Sequence, residues 1–341
     1  MIMKRNSVLL SLLILFLLTA CGTSESASSE QTEEKYEKNT ALHTIIIGGR
    51  TGGAWSVFTE GIAESIRREH DGSVITVEPG GIVENPPTVG MNKVPYGLSY
   101  TMTAYAAYKG EEPYDQPYED IRAVSVVIPA NYYQLVARAD LEYDSLKEIV
   151  ENKAPIHLAV DQKGSAGEII TRKMLGEYGV TYEDIIAWGG SVDHLSGTKT
   201  FELMADKRVD VTGDAVSVPS SDILEASTTI NLKMLTLEQQ INQPVAEELG
   251  MLTEKIPAES YSFLNEDINT VNTPAILLVN QNVSEKEVYQ VTKAIYENLD
   301  YLKTVHKEFE NLSGENMLDV GEIPLHPGAV KFFKEMGWID K

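Results

Sequence analysis

The stretch Thr44-Ile-Ile-Ile-Gly-Gly-Arg-Thr-Gly-Gly-Ala-Trp55 passes from a β-branched run through a glycine-dense turn into an apolar pattern of helical period. Thr and Ile in succession favour a buried strand, and the glycines mark the place where the backbone turns sharply. Beyond the turn, Ala54, Phe58, Ile62 and Ile66 recur every four residues, which lays one apolar stripe along a helix ending near Arg68. The spacing predicts strand, loop and helix N-terminus in that order. N–H groups at such a helix start suit an anionic or polar ligand.

The arrangement recurs. Ile156-His-Leu-Ala-Val160 reads as a buried strand, Asp161-Gln-Lys-Gly-Ser-Ala-Gly-Glu168 as its loop, and Ile169, Ile170, Met174, Leu175 and Tyr178 as helical periodicity. Ser165 and Glu168 stand in capping-box spacing, and Thr181 with Asp184 gives a weaker copy of it. Between the two units lie a strand at Ser73–Val77 and a second glycine loop, Glu78-Pro-Gly-Gly-Ile-Val-Glu-Asn85, closed by Pro86-Pro87. Extended runs at Arg122–Ile128 and Tyr133–Arg138 flank Pro129-Ala130-Asn131, read as the passage to a second lobe. Asp144 is read as the cap of a short helix through Ile149. After Lys233 the chain reads as loop-rich as far as Ile256-Pro-Ala-Glu259. A strand at Thr273–Val279 and one helix from Ser284 to Leu302 follow. Strands alternating with helices place the chain in the α/β class.

Composition bounds what the chain can do. At 341 residues it is long enough for two lobes, and its formal charge of −23 opposes a nucleic-acid backbone as partner. Lys4 and Arg5, the apolar run Val8–Leu18 and Leu18-Thr19-Ala20-Cys21 have the form of a leader with a processing site. The last four residues resemble the bacterial lipobox, which implies lipidation at Cys21, the single cysteine. The segments expected are a signal peptide at 1–20, a polar tether at 21–39, a first lobe at 40–132, a second at 133–235, and a return with C-terminal helices at 236–341.

Several chemistries fail on spacing. Arg50 stands where the dinucleotide pattern needs glycine, and no Gly-Lys-Ser/Thr follows for a phosphate loop. The six histidines show no paired metal spacing. Ser165 is explained as a cap rather than a nucleophile, because Gly164-Ser-Ala-Gly167 is not the nucleophile elbow. The reading is therefore a binding protein with no catalytic residue, metal or cofactor. A lipid-anchored hydrolase using Ser165 is the alternative from another class. Arg50 can clamp a carboxylate or simply balance an acidic surface. Trp55 can roof a ligand or plug the lobe, and Tyr100, Tyr132 and Tyr133 share that ambiguity. Asp210 and Asp214 can touch a ligand amine or cap turns.

Six stretches together resemble one family, the TAXI class of extracytoplasmic solute-binding proteins that serve TRAP transporters. They are Gly48–Trp55, Gly80–Asn85, Gly164–Gly167, Val209–Gly213, Thr273–Ala275 and Ile323–Ala329. The resemblance implies a two-lobed, periplasmic-binding-protein-like fold of type II character, with a ligand cleft and hinge. It implies a small carboxylate or amino acid as ligand and TRAP membrane subunits as partners. An ABC-linked or sensor-type binding protein is the nearest alternative. One wall of the cleft would carry Arg50, Gly53, Ala54 and Trp55, with Gly81, Asn85, Ser99 and Tyr100 beside them. The other would carry Gly164, Ser165, Ala166, Gly167 and Asp214. Three departures from the family's hydroxyl-rich pattern, at Ala54-Trp55-Ser56, Pro79–Ile82 and Gly164–Gly167, imply a changed ligand.

Overall fold

The computed structural model describes residues 40–52, 54–195 and 197–340; Cys21, the expected leader and tether, and Gly53 lie outside them. Strand β1 (His43–Ile47) leads to helix α1 (Ala54–Glu69) and strand β2 (Val74–Glu78). The short α2 (Asn85–Gly90) then leads to β3 (Tyr96–Tyr100). β2 and β3 pair in parallel with the two edges of β1, with Ile46 opposite both Val77 and Tyr96. Ile46 and Ile47 are buried because β1 is central, and Phe58, Ile62 and Ile66 turn the expected stripe of α1 inward. Helix α3 (Thr101–Lys109) starts directly at the end of β3, and β4 (Ile121–Ile128) follows.

After Pro129-Ala130-Asn131 the chain builds a second sheet from β5 (Tyr132–Arg138), α4 (Leu146–Glu151), β6 (His157–Val160), α5 (Ala166–Glu177), α6 (Tyr182–Ala187), β7 (Ser191–His194), α7 (Thr198–Ala205) and β8 (Val211–Val216). Here β7 and β8 pair in parallel with the two edges of β6, as β2 and β3 do with β1. Then come α8 (Ser221–Ser227), β9 (Leu232–Met234), α9 (Gln239–Leu249), β10 (Leu252–Ile256) and β11 (Ile268–Asn272). The second sheet runs β10-β11-β5-β8-β6-β7, with β9 also on β5. The chain ends with β12 (Ala275–Asn280), α10 (Glu285–Glu297), α11 (Leu299–Val305) and α12 (Pro327–Glu335). β12 lies antiparallel between β3 and β4 and completes a first sheet of order β2-β1-β3-β12-β4.

Two crossings join the lobes and run side by side. Asn272 pairs with Tyr132 on one side and Ala275 with Ile128 on the other. The Asn272 side chain accepts from the Asn131 N–H at 2.9 Å and donates to the Pro129 carbonyl at 2.8 Å. The Thr273 N–H donates to the Asn131 carbonyl at 3.1 Å. A buried amide serving both crossings satisfies backbone groups that neither sheet can reach.

Several expectations shift. By sheet membership the chain returns to the first sheet at Thr273–Ala275 rather than at residue 236, since β9, β10 and β11 all join the second sheet. Leu235, Leu237, Ile241 and Val245 pack into the same core as Met174 and Leu175 of α5, which holds this segment there. The loop-rich reading of that region fails because β10 is an edge strand. Its Thr253, Glu254 and Lys255 are exposed and show no apolar alternation. The cap of α4 is Ser145, whose hydroxyl accepts from the Glu148 N–H, and not Asp144. The long helix divides at Asn298, whose side chain donates to Ala294, Ser65 and Glu69 across to α1.

Candidate functional site

In both sheets the chain passes from the central strand to one edge (β1 to β2, β6 to β7) and then crosses back to the other (β3, β8), and such a switch point opens a crevice beyond the strand ends. The loops after β1 and β6 stand at these two points. On the first, Gly48 lies against Thr59 and Gly49 against Trp55 so closely that neither has room for a side chain. The Gly48 N–H donates to the Glu78 carbonyl at 3.0 Å, so the loop begins as an extension of the sheet. Arg50 and Ala54 are exposed, and Arg50 makes no ion pair among the described residues. Trp55 is half-buried, with its ring edge-on to Tyr100 at 4.9 Å.

Asn85 and Ser99 lie under this loop rather than at its surface. The Asn85 amide is fully buried. It donates to the Gly48 carbonyl at 2.8 Å and the Leu98 carbonyl at 2.7 Å, and accepts from the Gly81 N–H at 3.0 Å. Ser99 is also buried and donates to the Ile82 carbonyl at 3.1 Å. These side chains therefore spend their hydrogen bonds on shaping the two glycine loops, and Gly81 is one of the groups they hold.

On the second wall, Gly164 takes the left-handed conformation (φ +82°), which a side chain would strain. Ser165 caps α5, its hydroxyl accepting from the Glu168 N–H at 3.3 Å. Glu168 reaches back to the Gly164 N–H at 3.1 Å, one residue before the position a full capping box uses, and also pairs with Arg172 at 3.1 Å. The Ser165 hydroxyl is thus engaged as a cap acceptor. Ala166 opens the helix, and Gly167 is pressed onto the end of β8, where a Cβ would stand 2.6 Å from the Asp214 carboxylate. Tyr133 belongs to the core beneath. Its hydroxyl bonds Thr171 at 2.8 Å, and Gly213 gives both room.

Tyr100 ends β3, and Asp214 lies within β8 one residue past its last pair with β6; the two strands flank the central β1 and β6 in the same way. The charge of Asp214 also reaches Tyr100. Burial raises the Tyr100 pKa well above its ordinary value, the Asp214 charge raises it further, and a hydrogen bond with Trp55 works against both. Part of Asp214 is reachable by solvent, yet protein atoms crowd its carboxyl on nearly all sides. Burial above all, then the charge of Asp161, push its pKa up to about 8. The Ala215 N–H, donating at 2.7 Å, offsets only part of this.

The structure therefore brings together Trp55, Tyr100, Gly167 and Asp214, and places Gly81, Asn85 and Ser99 in support. Asp161, Thr200 and Asp222 were missed. Asp161 carries a readable signal, since it is the first residue after β6. Thr200 and Asp222 carry none, because only the pairing of β5 with β8 and the packing of α7 against α8 bring them to the cavity behind Asp214. That cavity is small, about 20 Å³, and open to solvent on one side. Between the lobes Lys307, on a short turn packed against α11, donates to the Ser221 hydroxyl of α8 at 3.0 Å.

Residues 46–337 match the NMT1-like family. The fold is similar to that of a TctC solute-binding protein from Polaromonas, with a TM-score of 0.51 and 11% identity over 80% of this chain and 86% of that one. It is also similar to MatC from Rhodopseudomonas palustris, solved with malate (TM-score 0.48, 14% identity, 87% of this chain and 98% of that one). A third likeness is the probable amino-acid ABC transporter binding protein YtmK from Bacillus subtilis (TM-score 0.46, 10% identity, 80% and 98%). The two-lobed α/β architecture is thus that of periplasmic binding proteins. The chain belongs to the NMT1-like family. Among the described residues no helix is long and apolar enough to cross a membrane.

Proposed function

We propose that this member of the NMT1-like family captures a small organic acid or amino acid between its lobes and delivers it to TRAP-type membrane subunits, without covalent chemistry. The observation that carries the reading is the facing pair of switch points. The charge of Asp214 in one lobe reaches Tyr100 of the other, and the crossings at residues 129–131 and 273–274 join the lobes. Ligand held by both walls would favour the closed arrangement through its higher affinity for it. The protein works outside the cytoplasmic membrane, tethered through lipid on Cys21.

Thermal unfolding in the presence of organic acids and amino acids tests capture. A ligand at about one hundred times its Kd adds about 2.7 kcal/mol to stability and raises Tm in a concentration-dependent way. No rise with any member of the panel would sink the reading. Tethering is tested separately by detergent-phase partition of the full chain, which Cys21→Ser is expected to abolish.

A further inference from the structure

We propose that the cavity behind Asp214 is a subsite for the ammonium group of the captured solute, so that the solute is an amino acid or related amine-bearing acid rather than a plain organic acid. The inference rests on the capture reading above and narrows it.

The polar side chains that line the cavity are two carboxylates, the hydroxyls of Thr200, Thr212 and Ser220 and the amide of Gln134, with no cation among them. Asp214 and Asp222 both line it, and among the described residues neither belongs to an ion pair. Thr200 lines it too. This residue is only 2% exposed, and among the described residues its hydroxyl has no hydrogen-bond partner. A native fold seldom leaves a buried hydroxyl unpaired, and one facing a cavity awaits an occupant. The amide of Gln134 is already committed. The Tyr261 hydroxyl accepts from the Ser220 N–H at 2.7 Å, so its own proton goes to Gln134 Oε1 at 2.7 Å. That leaves Gln134 Nε2 to donate to the carbonyls of Val216 and Ser217, at 3.2 and 3.1 Å.

An ammonium carries three donors and one positive charge. Two carboxylates and the buried, unpaired Thr200 hydroxyl can accept one bond each, and Phe201 and Val216 supply apolar wall for the attached carbon. A carboxylate in the same place would meet the charge of Asp222, and that of Asp214 whenever it is ionised. A divalent metal fits poorly, since no three His, Cys, Asp or Glu side chains gather as a metal site among the described residues.

The groups facing Asp214 agree in sign. Asp161 comes from the loop after β6, Asp222 from α8, and the hydroxyls of Tyr100 and Tyr133 from the ends of β3 and β5. With its pKa raised to about 8, Asp214 is mostly protonated at neutral pH while the site is empty. An arriving ammonium favours the ionised form and drives that proton off into solvent. Proton release on binding follows, together with affinity that rises as pH approaches 8. A solute carboxylate bonded to protonated Asp214 would give the reverse dependence.

Titration calorimetry with matched pairs differing only in the α-amino group decides the matter: L-glutamate and glutarate, L-leucine and 4-methylpentanoate, L-alanine and propanoate. In the pair that binds, the amino member is expected to be at least about tenfold tighter. Its heat is expected to depend on buffer ionisation in the sense of proton release. Asp214→Asn and Asp222→Asn each abolish the amino advantage, and Thr200→Val reduces it. Circular dichroism and the ligand-free melting curve verify that the variants fold; should either fail to fold, the wild-type pairs and proton count still decide. Equal or tighter binding of the deaminated member overturns the subsite and leaves capture standing. Proton uptake, or an intact amino advantage in Asp214→Asn, also overturns it. If no member of any pair binds, capture and subsite fall together.

Discussion

The two strand–loop–helix units share a topology and differ in how their loops are held. The loop after β6 is fastened by its own helix: Ser165 and Glu168 bond back within a few residues. The loop after β1 is fastened from a distance by Asn85, which reaches the Gly48 carbonyl across 37 positions of sequence. The same crevice can thus be shaped by a local motif or by one buried side chain from another element. Charge differs as well. The first loop exposes Arg50, whereas the second wall carries Asp161 and Asp214. Walls of opposite sign suit a solute with opposite charges at its ends.

Asp214 is where the contrast is expected to show most. Its folded pKa of about 8 lies above the ordinary 3.8, so between those values the folded state holds more protons than the unfolded chain. Its contribution is therefore favourable below pH 4 and is lost as pH rises towards 8. Urea unfolding of the ligand-free protein across that window is expected to show falling stability, and Asp214→Asn is expected to flatten this component of the slope. An unchanged slope would remove the burial effect assigned to Asp214.

Asn85→Ala comes next, with an expected loss of about 3 kcal/mol, because it strands two buried carbonyls and one N–H. Gly167→Ala sets a Cβ against Asp214 and is expected to cost about 2 kcal/mol, measurable in the same unfolding series. Ser165→Ala removes a single cap and is expected to cost only about 1 kcal/mol. If Ser165→Ala proves costlier than Asn85→Ala, the local motif rather than the remote amide is the stronger fastening.

Legibility followed range. The α1 stripe and the Ser165 cap were readable, and Thr181 with Asp184 forms a complete capping box, because each involves neighbours within a turn or two. β10 was not, since its polar middle gives no alternation. Asn85 was visible as part of a glycine loop but not as its anchor. Among the site residues, Tyr100 was marked by its place at a strand end and Asp214 by the Gly213 read as the end of its strand, although β8 continues to Val216, whereas Thr200 and Asp222 left no trace in the pattern.

Short-range regularities alone determined that this chain makes two strand–glycine–helix units in an α/β body. Periodicity, glycine placement and caps act through contacts a few residues long. Only the tertiary structure decided that residues 232–272 belong to the second sheet, that one asparagine serves both crossings, and that a cavity edged by carboxylates lies behind Asp214. Those outcomes depend on which buried surfaces meet across many tens of residues, and on the charge each is left facing.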